Sequence, residues 1–130
     1  KWRDWVTPGM EIPTPWEKED FDRMDEAYQK VRREINDRIA KMKREGAPAA
    51  EVQKVEEESE RLSLEHAKKV DNYLSKSRFK DQVGAFEGAG YSAEGLYRPM
   101  LDCLMFTKGK KPFCKVCAGA VVRVINHYSE

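Results

Sequence analysis

The sequence predicts a mainly α protein: a long antiparallel helical hairpin followed by a loop-rich, cysteine-containing C-terminal subdomain. Three observations carry that expectation. Apolar residues recur at alternating steps of three and four through two long charged stretches, which is the period of a helix with one narrow buried stripe. A single Gly46-Ala47-Pro48 break separates the two stretches. Most of the glycines and all three cysteines fall between Val83 and Tyr128. The chain therefore divides into a Trp/Pro-rich segment (1–15), a helical hairpin (16–80) and a C-terminal part (81–130).

Residues 1–15 carry Trp2, Trp5 and prolines at 8, 13 and 15. Proline at that density removes backbone donors and holds the chain in turns or extended geometry, so the segment reads as an ordered loop pinned by its tryptophans. Thr14 is a candidate N-cap, with Pro15 suited to a first helical turn and Glu17, Glu19 and Asp20 favoured at the positive end of the helix dipole. The first stripe is Phe21, Met24, Tyr28, Val31, Ile35, Ile39 and Met42. Gly46 can take the left-handed position that ends a helix, and Pro48 can restart one. The second stripe is Val52, Val55, Ser59, Leu62, His66, Val70 and Tyr73. Each helix should span roughly 40 Å at 1.5 Å per residue, and a connection this short makes them antiparallel neighbours. Their outer faces carry charges of both signs. As a lone histidine on the seam, His66 is expected to pack rather than bind metal.

The C-terminal part differs in character. Glycines at 84, 88, 90 and 95 suit tight turns or close approach of backbone. Among them lie Phe86, Glu87, Tyr91, Tyr97 and Arg98, a mixture of aromatic and ionisable groups that packing alone does not require. An apolar run from Ala118 to Ile125 reads as a closing helix, expected to rest on the glycine-rich block.

That block resembles the C-terminal end of the IgA-peptidase (M64) family of zinc metallopeptidases, a metzincin-like group. The family pattern, G-x-F-E-G-A-x-Y, then G-x-Y-R-P, C-x-M and F-C-x-V-C, is matched at Gly84, Phe86, Glu87, Gly88, Ala89, Tyr91, Gly95, Tyr97, Arg98, Pro99, Cys103, Met105, Phe113, Cys114, Val116 and Cys117. The segment from Lys1-Trp2 through Ile12-Pro13-Thr14-Pro15 is similar to what precedes this block in the family. Two departures stand out: the stretch from Trp16 to Gln82 is longer than the connection expected, and no H-E-x-x-H is present. The only histidines are His66 and His127, whereas a zincin needs two imidazoles one helical turn apart and a glutamate base. The resemblance thus implies a C-terminal portion of an α/β zinc-peptidase domain, inert alone, whose zinc lies in the complete enzyme and not on this chain. Its implied partners are an upstream catalytic part of the same polypeptide and a protein or peptide substrate, in a secreted or periplasmic setting.

The resemblance also implies residue roles. Glu87, Tyr91, Tyr97 and Arg98 are substrate-cleft candidates. The tyrosines could donate to a tetrahedral intermediate, and Arg98 could grip a carboxylate, either that of Glu87 or one on the substrate. Met105 falls where a Met-turn should lie, as an apolar floor beneath the metal. The cysteines admit two accounts. Cys103, Cys114, Cys117 and His127 spell C-x10-C-x2-C-x9-H, a conceivable zinc knuckle, but His127 lies about three turns along the helix from Cys117. A disulfide from Cys103 to Cys114 or Cys117 is the expectation instead, and a thioredoxin-like role lacks the βαβ pattern it needs.

Composition narrows the alternatives. A net charge of +1 leaves no basic footprint for nucleic acid, and no apolar run reaches the roughly 20 residues of a membrane span. Charged residues at 36% suit long exposed helices. The competing function is therefore a non-catalytic helical-hairpin interaction module with a cysteine-stapled base.

Overall fold

A computed structural model describes residues 2–107 and 109–130. Lys1, the first residue of the Trp/Pro-rich segment, lies outside the described residues. The order is a short 3-10 turn at Arg3–Trp5, α1 (Lys18–Arg44), α2 (Ala49–Ser75), β1 (Phe86–Ala89), β2 (Ser92–Arg98) and α3 (Lys115–Ser129). The protein is mainly helical with one small antiparallel two-stranded sheet. It forms two compact units, Glu19–Val70 and the remainder (Lys1–Lys18 with Asp71–Glu130), so the division falls inside both long helices.

The first unit follows the apolar spacing. Phe21, Val52, Val55 and Val70 are buried, and Met24, Tyr28, Ile35, Ile39, Met42, Ser59, Leu62 and His66 are half-buried, while the charged faces are exposed. Val31 alone of the stripe is exposed. Gly46 has φ +71°, the left-handed value that ends a helix cheaply only in glycine. Ala47 N–H donates to Met42 (3.0 Å) and Gly46 N–H to Lys43 (3.3 Å), which satisfies the last carbonyls of α1. The Pro48 carbonyl then accepts from Glu51 and Val52 to open α2. Cross-contacts fix an antiparallel register. Lys43 Nζ lies 2.7 Å from Glu56 near the turn; farther along, His66 stacks on Tyr28 at 3.9 Å between centroids and bonds Asp25 at 3.0 Å.

The second unit is organised around an extended segment, Val83–Ala85, that threads between the N-terminal residues and Pro99. Thr7 N–H donates to the Val83 carbonyl (3.0 Å), Trp2 Nε1 to that of Gly84 (2.8 Å), and Gly84 N–H to that of Pro99 (2.8 Å). Thr14 closes the pattern: its N–H donates to the Ala85 carbonyl at 2.9 Å and its Oγ1 accepts from Ala85 N–H at 3.0 Å. This corrects the expected helix cap. Thr14 is spent on tertiary pairing, and α1 begins only at Lys18. A Cβ on Gly84 would lie 2.4 Å from Thr14 Oγ1, so only glycine lets the two backbones approach this closely. Val83, Phe86 and Leu101 are fully buried beneath this pairing.

Two further features depart from expectation. The block read as loop contains the β1–β2 hairpin, turned by Gly90 (φ +57°) and Tyr91 (φ +64°), the pair of positive φ values that a two-residue type I′ turn requires. The closing helix rests on the unit only through its first five residues, where Val116 is buried and Gly119 lies against the Trp5 ring. Ala120, Val121, Val124, Ile125 and Tyr128 are all exposed.

Candidate functional site

The hairpin sets the first part of the site. Glu87 and Tyr97 are directly opposed in the β1–β2 register, so their side chains emerge on one face. Glu87 Oε2 accepts from Gly95 N–H at 3.2 Å and from the Tyr97 hydroxyl at 3.5 Å, with Lys18 Nζ 4.0 Å from its other oxygen. The carboxylate and phenol are thus held side by side at a half-exposed surface. Tyr91 sits at the turn itself, wholly exposed. A β-carbon in the left-handed region costs roughly 1 kcal/mol.

Arg98 does something else. It is 6% exposed, its Nε donates to the Leu101 carbonyl at 3.0 Å and its Nη1 donates to the Gly88 carbonyl. The guanidinium lies over the rings of Trp16 (4.8 Å) and Phe106 (3.8 Å), a favourable cation–π geometry. Gly88, with φ +104°, marks the irregularity in β1 that brings its carbonyl to this group. The expected grip on Glu87 is therefore not made. Arg98 is a buried bracket that ties the hairpin to the loop following Pro99.

That loop carries Cys103, Leu104 and Met105. The Cys103 carbonyl accepts from Phe106 (2.9 Å) and Thr107 (3.1 Å), and its Sγ accepts from Met105 N–H (3.4 Å) and Cys114 N–H (3.2 Å). The backbone is pinned on both sides, yet the Met105 side chain is 72% exposed. Cys114 caps α3, its Sγ accepting from Cys117 N–H at 3.5 Å. All three cysteines are free, in place of the expected disulfide from Cys103 to Cys114 or Cys117. Their sulfurs converge within 4.8 Å of one another. Burial pushes the Cys103 thiol up, but the Cys114 and Met105 amides and the Cys114 and Cys117 thiols outweigh it, leaving it below the ordinary 9.0. Burial, then the neighbouring Cys114 and Cys103 sulfurs, push Cys117 up to about 12.

A third cluster went unread in the sequence. Lys111 Nζ donates to Asp71, Asp102 and Thr107, each at 2.6 Å. Burial lowers its pKa, but the two carboxylates more than compensate and hold it above 10.5. Asp102 also accepts from Cys103 N–H at 2.9 Å and from the Thr107 hydroxyl at 2.6 Å. Asp102 sits one residue before Cys103, which was a signal of sorts. Asp71 is 40 residues from Lys111, and no local pattern joins them.

Residues 1–125 match a family model described as IgA Peptidase M64. No curated protein and no solved structure matches the chain.

Proposed function

The chain belongs to the IgA peptidase M64 family, and from that premise we propose that it forms the substrate-cleft hairpin and Met-turn of a zinc-dependent metalloendopeptidase. The family is one of metallopeptidases, and its substrates are proteins. This chain's own histidines do not fit a catalytic zinc. His66 is stacked on Tyr28 and bonded to Asp25, His127 is exposed on α3, and no H-E-x-x-H is present. In the proposal the zinc ligands stand upstream in the same polypeptide, this chain alone is inert, and the enzyme works in a secreted or periplasmic setting.

Met105 carries the reading. A methionine that served only to fill a core would be buried; this one is displayed on a loop whose backbone is fixed at Cys103, Phe106 and Thr107. A soft apolar side chain on a rigid turn is what a floor beneath metal ligands requires. The Glu87–Tyr97 pair adds a phenol whose single O–H is donated to Glu87 across a long 3.5 Å contact and would turn from it to reach an oxyanion. Arg98 supports both from behind as a positioning residue and does not touch substrate.

The test begins with the coding frame upstream of the Lys1 codon, where an in-frame H-E-x-x-H is expected. A start codon directly ahead of Lys1 with no such motif overturns the proposal. In the longer enzyme, Tyr97→Phe should lower kcat by about a hundredfold with KM little changed, the loss expected for one oxyanion donor. Unchanged kcat would remove Tyr97 from the cleft.

A further inference from the structure

We propose that Cys103, Cys114 and Cys117 together bind one soft divalent metal, zinc by preference, as a structural site that staples the Cys103–Met105 turn to the start of α3. The site is independent of any catalytic zinc.

The geometry suits a thiolate ligand set. A tetrahedral zinc with Zn–S distances of about 2.3 Å holds its sulfurs about 3.8 Å apart. The three sulfurs already lie within 4.8 Å of one another, about 1 Å beyond that spacing at most. A disulfide would use two of them and leave the third stranded in the same cluster. Convergence of all three is what a metal explains and a disulfide does not.

Backbone donors converge on two of the three sulfurs, while Cys117, held up at about 12, gives up its proton only to the metal. Two backbone amides, of Met105 and Cys114, point at the Cys103 sulfur, and that of Cys117 points at the Cys114 sulfur. Donors aimed at sulfur are the outer-shell pattern that orients a metal ligand and offsets its negative charge. The site is also largely enclosed: Cys103 and Cys114 are buried with Val83 and Val116, and Trp2, Val6 and Met100 pack around them. Thiolates select zinc over hard cations such as magnesium and calcium. Binding replaces three S–H protons, which leave to solvent, by three S–metal bonds and needs no oxidant.

Among the described residues no fourth His, Cys, Asp or Glu joins the group, and His127 sits in the last turn of α3, exposed. The fourth position therefore takes water or an added donor.

The experiment is metal analysis of this chain purified reduced and loaded with zinc or cobalt(II). One metal per chain is expected, together with a cobalt spectrum whose thiolate charge-transfer intensity corresponds to three sulfurs. Cys103→Ser, Cys114→Ser and Cys117→Ser should each lose the metal, and His127→Ala should keep it. Because the buried variants at 103 and 114 could misfold, the cobalt spectrum of the unsubstituted chain and the half-buried Cys117→Ser, checked for helicity, stand as separate readouts. A reduced chain that takes up no metal overturns the proposal. So does peptide mapping of the native protein that finds Cys103 bonded to Cys114 or Cys117 with no metal present. Neither outcome bears on the peptidase reading, since this chain carries no H-E-x-x-H.

Discussion

The Glu19–Val70 arm and the cysteine-bearing unit are built on opposite principles. In the arm, burial follows the linear spacing of apolar residues, and the contacts across its seam join residues of two helices related by one turn. In the other unit, the deciding contacts join residues far apart in sequence: Thr14 with Ala85, Arg98 with Trp16, Lys111 with Asp71. The arm buries few side chains and repeats one simple motif. The cysteine-bearing unit fixes polar groups in buried, mutually dependent positions. Local redundancy tolerates substitution; single non-local brackets do not.

That contrast can be broken by measurement. The largest effect is expected at Phe86, fully buried: Phe86→Ala should cost about 4 kcal/mol in denaturant unfolding, against about 2 kcal/mol for Val55→Ala in the arm. Equal losses would erase the distinction. Arg98→Met should cost about 3 kcal/mol, because two carbonyls lose a charged donor in a buried site. If Arg98→Met unfolds like the parent chain, the bracket is ornamental.

Lys111→Met should cost about 1 kcal/mol at neutral pH, and its pH dependence sharpens the point. The folded pKa of Lys111 is raised, so its stabilisation is full below the unfolded value of 10.5 and disappears as pH climbs through the folded value above it. The gap between parent and variant should therefore be flat up to about pH 10 and close at more alkaline pH; a gap that closes in the neutral range would contradict the two-carboxylate cage. The smallest effect has the opposite sign. Tyr91→Gly should raise stability by about 0.5–1 kcal/mol by relieving the left-handed backbone at φ +64°. Loss of peptidase activity in the longer enzyme proposed above, alongside that gain, would mark Tyr91 as a side chain kept for contact rather than for the turn.

The members of the candidate site were legible in part; their arrangement was not. Glu87, Tyr97 and Met105 stood out because such residues beside glycines, or in C-L-M, are unusual for plain packing, and the resemblance gave them an order. Their relations were not readable. The opposition of Glu87 to Tyr97 depends on a two-residue turn in which tyrosine takes a conformation normally left to glycine or asparagine, so the hairpin carried no Asn-Gly signature. Arg98 looked like a carboxylate grip because the carbonyls and rings that claim it lie in three separate segments. The cysteines read as a disulfide because spacing reports distance along the chain, whereas the third sulfur's approach is a property of the fold.

By itself the sequence determined the helical character, the two stripes, the Gly46 turn and the family. Each is written in spacing, in a residue with unique backbone freedom, or in rare residues kept in order, and each survives without knowing what lies across the fold. Only the tertiary structure decided that Thr14 pairs with Ala85 instead of capping α1, that most of α3 leaves its apolar face exposed, and that three sulfurs meet. Those outcomes turn on which of several partners a polar or apolar group finds, and the energies of the alternatives differ by about the 1–2 kcal/mol of one hydrogen bond, a choice made in three dimensions.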